Sequence, residues 1–132
     1  MRLQLVTPDR QLLDTEIEEV YAPGVEGEFG VLPMHVNFLT ALDIGELRYR
    51  IDGRDHWVAV RGGVAEVLNE VVTILADDAE ASAEVDVEDA RSDEQSASSA
   101  LEHADTSSVE AQDLVAEVAW ARARQAVAAR GA

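Results

Sequence analysis

Residues 46–61, with the sequence ELRYRIDGRDHWVAVR, place two runs of strand-forming residues on either side of Asp52-Gly53. Apolar residues occupy alternate positions of the first run, at Leu47, Tyr49 and Ile51. A period of two directs one face of a strand inward and the other outward. The Asp-Gly pair favours the left-handed backbone of a two-residue hairpin turn. The segment is therefore predicted to form a β-hairpin.

Further short apolar or alternating runs lie on both sides of this hairpin, at residues 2–7, 17–21, 64–68 and 71–75. Turn-forming residues separate the runs: Thr7-Pro8-Asp9, Ala22-Pro23-Gly24, Asp43-Ile44-Gly45, Gly62-Gly63 and Asn69-Glu70. Short strands at such spacing are typical of an antiparallel β-sandwich or barrel. The pattern ends at about residue 78, so we expect a β domain over residues 1–80.

The composition changes near Asp77, after which the chain is rich in Ala, Glu, Asp and Ser and contains no Pro. Residues 79–117 contain twelve acidic residues and one Arg, a net charge of -11, whereas residues 118–132 contain three Arg and no acid. Two helices fit this region. The first is predicted to start at an N-cap on Asp86 and to run to about Ala104.

The second helix is predicted to start at Ser107, after a turn at Asp105-Thr106, because residues 107–110 match the capping-box pattern. The apolar stripes of both helices are thin: Val87, Ala90, Ala97, Ala100, Leu101 and Ala104 in the first, and Leu114, Val115, Val118, Ala121 and Gln125 in the second. Ala buries much less transfer free energy than Leu or Val. We therefore expect a mobile two-helix hairpin over residues 81–132, and its mobility is either functional or a consequence of weak packing.

Bulk composition excludes several classes of function. The 132 residues include no Cys, so disulfides and thiolate metal sites are excluded. The net charge is -17 and all ten basic residues are Arg, a balance that disfavours nucleic acid and lipid headgroups as partners. No apolar stretch is long enough to span a membrane, and we expect no lipid insertion and a cytoplasmic location. The acidity suits either an ordinary solvated surface or a salt-rich cytoplasm.

A survey of reactive residues predicts no catalytic, metal or cofactor site. The glycines of residues 24–30 lack the Lys and the following helix of a phosphate loop. His35 is predicted to be structural or part of an interface, and Trp57 to lie in the core. Trp120 is expected to anchor the hairpin to the sandwich or to a partner. The terminal arginines either complement a helix dipole or dock on an acidic partner.

Two blocks of sequence resemble the epsilon subunit family of F-type ATP synthases. Residues 27–45 are similar to the family pattern GEFGVLPxHxPxLTxLxxG, and residues 62–80 to GGxxEVxxxxVTILAxxAE. The blocks have the family's order and spacing, and the opening LVTP of residues 5–8 also fits. Met34 and Asn37 stand where the family often has Gly and Pro. The resemblance covers about residues 2–80, and the hairpin agrees in length and composition only.

The resemblance implies a non-catalytic subunit of the rotary central stalk, with an N-terminal β-sandwich followed by two helices. In this family the sandwich binds the gamma subunit and the membrane c-ring, and it helps to couple proton flow to ATP synthesis in the head of alpha and beta subunits. The loop of residues 26–30, with Glu28, would face the ring, and the segment of residues 35–40 would lie next to gamma. The implied interface residues are Glu28, Gly30, Val31, His35, Asn37, Phe38 and Thr40.

The family's helical hairpin can fold onto the sandwich or extend into the head and block ATP hydrolysis. Arg122 and Arg124 are the implied contacts with acidic catalytic-subunit residues in the extended state. Some members bind ATP through a motif [IL]DxxRA, to which residues 85–90, with the sequence VDVEDA, correspond, and here Asp89 replaces the Arg. Because its charge repels phosphate, we expect weak or no ATP binding. A free-standing acidic β-sandwich that binds a ligand is the alternative, and an enzyme is a third.

Overall fold

The computed structural model describes residues 1–34 and 37–131. The strands are β1 (Arg2–Thr7), β2 (Arg10–Glu16), β3 (Glu19–Gly24), β4 (Gly27–Val31), β5 (Phe38–Ile51), β6 (Arg54–Leu68), β7 (Val71–Ala76) and β8 (Ala79–Ala81). A 3₁₀ turn at Ser82–Glu84 leads to helices α1 (Val87–Glu102) and α2 (Val109–Ala129). This order confirms the predicted β-sandwich followed by a two-helix hairpin.

The strands pair in the order β2-β1-β7-β6-β5-β3-β4, and β8 pairs with β6. One pair departs from the predicted antiparallel arrangement, because β1 and β7 run parallel with Leu3 opposite Val72. These strands are distant in sequence, so no hairpin turn sets their relative direction. Strands β2 and β4 were not predicted: β2 is an edge strand without clean alternation, and residues 24–30 were interpreted as a loop.

Three of the predicted turns lie inside strands. Ala22-Pro23-Gly24 falls within β3, Asp43-Ile44-Gly45 within β5 and Gly62-Gly63 within β6. The β5–β6 register is the same on both sides of this point, since Leu42 pairs with Gly63 and Ile44 with Arg61, and Asp43 and Gly62 between them are not paired. Gly62 and Gly63 have φ of +63° and +111°, a backbone that glycine adopts readily and that bends the strand here. The bend lets one continuous sheet fold over its own core.

Two-residue turns are placed as predicted. Asp52 and Gly53 have φ of +51° and +75°, and the flanking pair Ile51–Arg54 is in register. Asn69 and Glu70 have φ of +50° and +65° between β6 and β7. Positive φ at both central positions is the signature of the type I′ hairpin turn.

The sandwich core is made of aliphatic side chains that alternate along the strands. In β1, for example, Leu3 and Leu5 are fully buried while their neighbours are half-buried. The largest fully buried side chains of the core are Leu3, Leu5, Val20, Val31, Leu47, Val58, Val60, Val67, Val72 and Ile74. Each contributes about 1.5–3 kcal/mol of transfer free energy, so the sheet carries most of the apolar burial.

The caps of the helices agree with the sequence to within one residue. The Asp86 carboxylate accepts a hydrogen bond of 3.1 Å from the Asp89 backbone N–H, as predicted for an N-cap. The N-cap of α2 is Ser108 rather than Ser107, and its Oγ accepts from the Ala111 N–H at 3.1 Å. Ser107 instead donates to the Asp105 carboxylate in the turn. In the described part of the chain, neither helix is long and apolar enough to cross a membrane.

The face of α2 that meets the sheet differs in part from the predicted stripe. Val118 and Ala121 are buried as expected, but Val115 is 55% exposed. The contact with the sheet is made by a different set, in which Trp120, Ala123 and Val127 pack against Ala59, Ile44, Trp57 and Val85. Trp57 therefore belongs to the boundary between helix and sheet and not to the main core. Trp120 anchors the hairpin to the sandwich.

Candidate functional site

The β3–β4 turn and the start of β5 meet in a shallow cavity of about 390 Å³. The cavity is lined by Gly24, Glu26, Gly27, Glu28, Phe29, Phe38, Leu39 and Thr40. Three of the predicted interface residues, Glu28, Phe38 and Thr40, are thus brought together although ten residues or more separate Glu28 from the other two. The sheet does this because β3 pairs with both β4 and β5.

Aromatic packing and short polar contacts shape the region next to this cavity. The rings of Phe29 and Phe38 meet edge to face with centroids 5.4 Å apart. The Asn37 Oδ1 accepts a hydrogen bond of 2.9 Å from the Asn69 N–H, and the Met34 N–H donates to Glu70 Oε1 at 2.7 Å. These contacts tie the connection before β5 to the β6–β7 turn.

The remaining predicted interface residues differ in accessibility. Val31 is fully buried in the core, so its side chain offers no surface to a partner. Gly30 lies against the ring of Tyr21, where an added Cβ would come within 2.8 Å of Tyr21 Cδ1. Gly30 and Val31 therefore hold β4 in place through packing inside the domain. His35 lies outside the described residues.

An apolar surface that the sequence did not reveal lies on the outward face of β5, β6 and β7. Leu39 is 67% exposed and Leu75 is 53% exposed. Val64 lies directly opposite both Ala41 and Leu75, so these side chains point to the same side of the sheet. Its exposed large members are Leu39, Val64, Leu68 and Leu75, here called the β5–β7 apolar face.

Such a face is unusual on an acidic chain. On the outward face of β5–β7, Glu66 is the charged residue that lies between Leu39 and Leu75. Exposed Leu32 and Met34 lie in the connection just before β5. Contiguous exposed apolar side chains are typical of surfaces that contact a protein, a membrane or a ligand. The face continues from the predicted interface segment, because Leu39 belongs to both.

The two predicted contact arginines lie in different environments. Arg122 is exposed, and its Nε donates to Glu94 Oε2 at 3.0 Å. Arg124 is only 7% exposed and is surrounded by Glu80, Asp89 and Asp93. In this state Arg122 is accessible to a partner, and Arg124 is not.

These ion pairs shift the protonation equilibria of their members. The hydrogen bond from Arg122 holds the pKa of Glu94 below its usual value. Burial acts to lower the pKa of Arg124, but the hydrogen bond to Asp89 and the charge of Glu80 outweigh it, so that pKa is raised. Both shifts favour the charged forms of Glu94 and Arg124. The carboxylate of Asp89, the residue expected to repel a phosphate, is used in an internal ion pair.

Comparisons with known proteins agree with this architecture. A family model described as "ATP synthase, Delta/Epsilon chain, beta-sandwich domain" matches residues 1–82. The ATP synthase epsilon chain of Nitratidesulfovibrio vulgaris is 50% identical over 91 residues, which are 69% of this chain and 68% of the relative. That of Syntrophobacter fumaroxidans is 53% identical over 87 residues, or 66% of this chain and 65% of the relative.

Among solved structures, a chain of the Euglena gracilis mitochondrial ATP synthase, determined with OSCP, F1 and the c-ring, is similar in fold. It aligns with a TM-score of 0.74 and 26% identity, over 98% of this chain and 80% of that chain. The alignment extends through the helical hairpin, beyond the residues that the family model matches. The order of strands and helices, the sequence blocks and these matches lead to one assignment: the chain belongs to the ATP synthase delta/epsilon chain family.

Proposed function

We propose that this chain is the epsilon subunit of a bacterial F-type ATP synthase, a non-catalytic part of the central stalk that couples proton-driven rotation to ATP synthesis. The family match over residues 1–82 is the observation that carries the proposal. The β5–β7 apolar face supports it, because a stalk subunit must be held tightly by its neighbours while the complex turns. A free-standing module has no need of an uncovered apolar sheet face.

The gamma subunit is assigned to the β5–β7 apolar face together with residues 37–40. Leu39, the most exposed large side chain of this face, lies at its junction with the predicted segment. The c-ring is assigned to the β3–β4 turn at the other side of the cavity, where Glu28 is exposed. The alpha and beta subunits are the partners proposed for the hairpin.

Co-purification from solubilised membranes of the source organism tests the stalk role. The tagged chain is expected to recover gamma, c, alpha and beta subunits, whereas recovery of none of them would favour a free-standing module. Leu39→Asp should reduce gamma recovery at least tenfold, because burying an unpaired carboxylate costs several kcal/mol. Val109→Asp is the matched control, since Val109 is 72% exposed at the start of α2. Equal recovery by both variants would remove the assignment of gamma to this face.

Residues 81–132 are proposed to act as a mobile regulatory hairpin that inhibits ATP hydrolysis when it extends toward the catalytic head. Arg122 supports this role because its guanidinium is exposed and its pairing with Glu94 is a surface contact of 3.0 Å that a stronger acidic partner can replace. Removal of residues 81–132 from the assembled complex should increase hydrolysis. Unchanged hydrolysis after truncation would leave the stalk role and eliminate the inhibitory one.

The proposed location is the cytoplasmic face of the bacterial cell membrane, held there through the complex. The chain should sediment with membranes and be released when the F1 head is stripped at low ionic strength. If it sedimented with membranes lacking the other subunits, direct attachment to lipid would replace attachment through the c-ring.

A further inference from the structure

The guanidinium of Arg124 is surrounded by three carboxylates from two separate parts of the fold. Its Nη2 lies 3.2 Å from Asp89 Oδ2 and its Nη1 lies 3.2 Å from Asp93 Oδ2, both in α1. Its Nε lies 2.9 Å from Glu80 Oε2 in β8, an ion pair without hydrogen-bond geometry. The Arg124 side chain therefore links α2 both to α1 and to β8 at the end of the sandwich.

Helix α1 has little else to hold it. Its extensive contacts are with α2, while α2 contacts β5, β6, β8 and the 3₁₀ turn. The buried residues of α1 are Ala90 and Ala97, which offer little apolar area. Glu94 adds an exposed contact with Arg122 and a partly buried one with Gln125. Arg124 is the buried cation of this interface, whereas the side chains of Asp89 and Asp93 are 58% and 56% exposed, and among the described residues these two carboxylates have no other ion-pair partner.

Helix α2 has an independent attachment at its far end. Arg130 lies 4.2 Å above the ring of Trp57 and pairs with Glu46 at 3.1 Å. The Ser82 Oγ donates to the Val127 carbonyl at 2.8 Å. Trp120 and Val127 are buried against the sheet nearby. These contacts do not involve α1, so α2 can stay docked when α1 moves.

We propose that Arg124 is an ionic latch that holds α1 closed and is itself masked until α1 swings away. Release of α1 withdraws Asp89 and Asp93 together, because both lie on the same face of one helix. Arg124 is then left with Glu80 and with free donors that can pair with carboxylates of another subunit. The hairpin thus opens in order, α1 first and α2 second, and the arginine becomes available only after the first step.

Amide hydrogen exchange on the full-length isolated chain tests the latch. In Arg124→Met, exchange in α1 should rise at least tenfold, while exchange in the core strands stays unchanged. Arg122→Met is the matched control, because Arg122 lies in the same helix and also pairs with α1 but is exposed. In this variant, exchange in α1 should rise less than about fivefold. The double variant Asp89→Asn/Asp93→Asn removes the α1 carboxylates of the latch and keeps Arg124. It tests the latch if Arg124→Met fails to fold.

Tryptophan fluorescence tests the order of opening, because both tryptophans of the chain, Trp57 and Trp120, lie where α2 meets the sheet. Their emission should be unchanged in the latch variants while exchange in α1 rises. A red shift of the emission together with the faster exchange would show that both helices leave at once and would overturn the order. Unchanged exchange in α1, or an equal rise in the core strands, would overturn the latch.

The role of the latch in an assembled complex rests on the proposed function. There, Asp89→Asn/Asp93→Asn should strengthen inhibition of hydrolysis by freeing Arg124, whereas Arg124→Met should not. Equal effects of the two variants on hydrolysis would contradict masking of Arg124. If the chain recovers no ATP synthase subunits, the proposed function fails, but the exchange and fluorescence results still decide whether the latch exists.

Discussion

Gly63→Ala is predicted to remove a large part of the stability of the sandwich. Gly63 has φ of +111° at the bend of β6. An alanine Cβ there would overlap the Leu75 carbonyl oxygen and lie 2.8 Å from the Ala76 Cα. Both atoms belong to the backbone of β7, which pairs with β6 in register at this point. Backbone cannot rotate away as a flexible side chain would, so the two strands must separate locally.

The magnitude follows from two contributions. A non-glycine residue at this φ is strained by about 1–3 kcal/mol. Displacing the Leu75 carbonyl disrupts one or two hydrogen bonds of the ladder, and each buried group left unsatisfied costs about 1–3 kcal/mol. With one hydrogen bond lost, the sum is about 2–6 kcal/mol. A small domain has about 5–15 kcal/mol in total, so the variant should be marginal at room temperature.

Gly27→Ala separates the two contributions. Gly27 has φ of +121°, close to that of Gly63, but a Cβ there would meet nothing within 4 Å. This control should lose only the strain, about 1–3 kcal/mol. Urea unfolding followed by far-ultraviolet circular dichroism measures both losses. If the two variants differed by less than about 0.5 kcal/mol, the close approach of β6 and β7 at Gly63 would be refuted.

Three further predictions concern strain, pH and salt. Met34→Gly should raise the free energy of unfolding by about 0.5–1 kcal/mol, because relief of the strain at φ +66° exceeds the added entropy of the unfolded chain; urea unfolding measures it. The hydrogen bond from Arg10 lowers the pKa of Glu84 below 4.5. The ionised carboxylate therefore stabilises the fold above that pH, and this stabilisation is lost as the pH falls through the lower pKa of the folded state. Between pH about 5 and 3, the melting temperature of Glu84→Gln should fall less than that of the unsubstituted chain. With a net charge of -17, melting temperature should rise from low salt to about 1 M KCl, and a flat response would count against adaptation to salt.

Local signals predicted the two-residue hairpin turns and the helix caps well. Asp52-Gly53 and Asn69-Glu70 have the backbone that their residue types favour, and Asp86 caps α1 through its own carboxylate. Each of these features depends on a few adjacent residues and on hydrogen bonds within one turn. Tertiary packing does not override them, since the side chain that satisfies the backbone is supplied by the same segment.

Long-range features were beyond local reasoning. Glycine pairs such as Gly62-Gly63 suit either a turn or a bend inside a strand, and only the partner strand decides between them. The parallel pairing of β1 with β7 likewise depends on the folded sheet. The sheet-facing stripe of α2 was missed because Ala123 and Val127 become apolar contacts only once Trp120 has set the orientation of the helix.

In the candidate interface too, the local features could be predicted from sequence and the long-range features could not. The motif at residues 27–33 is a local signal, and it points to Glu28, which lies in β4 and lines the cavity. The β5–β7 apolar face required strand register, because Leu39, Val64 and Leu75 are far apart in sequence and meet only through two strand pairings. The alternation of each run predicted an inward and an outward face. It could not show that the outward faces of β5, β6 and β7 are apolar and lie side by side.

Different forces hold the two halves of the molecule, and this difference bears on how the chain can work. The sandwich is held by fully buried Leu, Ile and Val side chains and by a continuous ladder, interactions that salt and neighbouring charges hardly change. The α1–α2 contact relies on alanine and on ion pairs such as Arg124–Asp89. Ion pairs can be exchanged for others of equal strength at little net cost, whereas a buried core cannot. A chain built in this way suits the proposed function, in which the sandwich keeps a constant surface for permanent neighbours and the helices change partners.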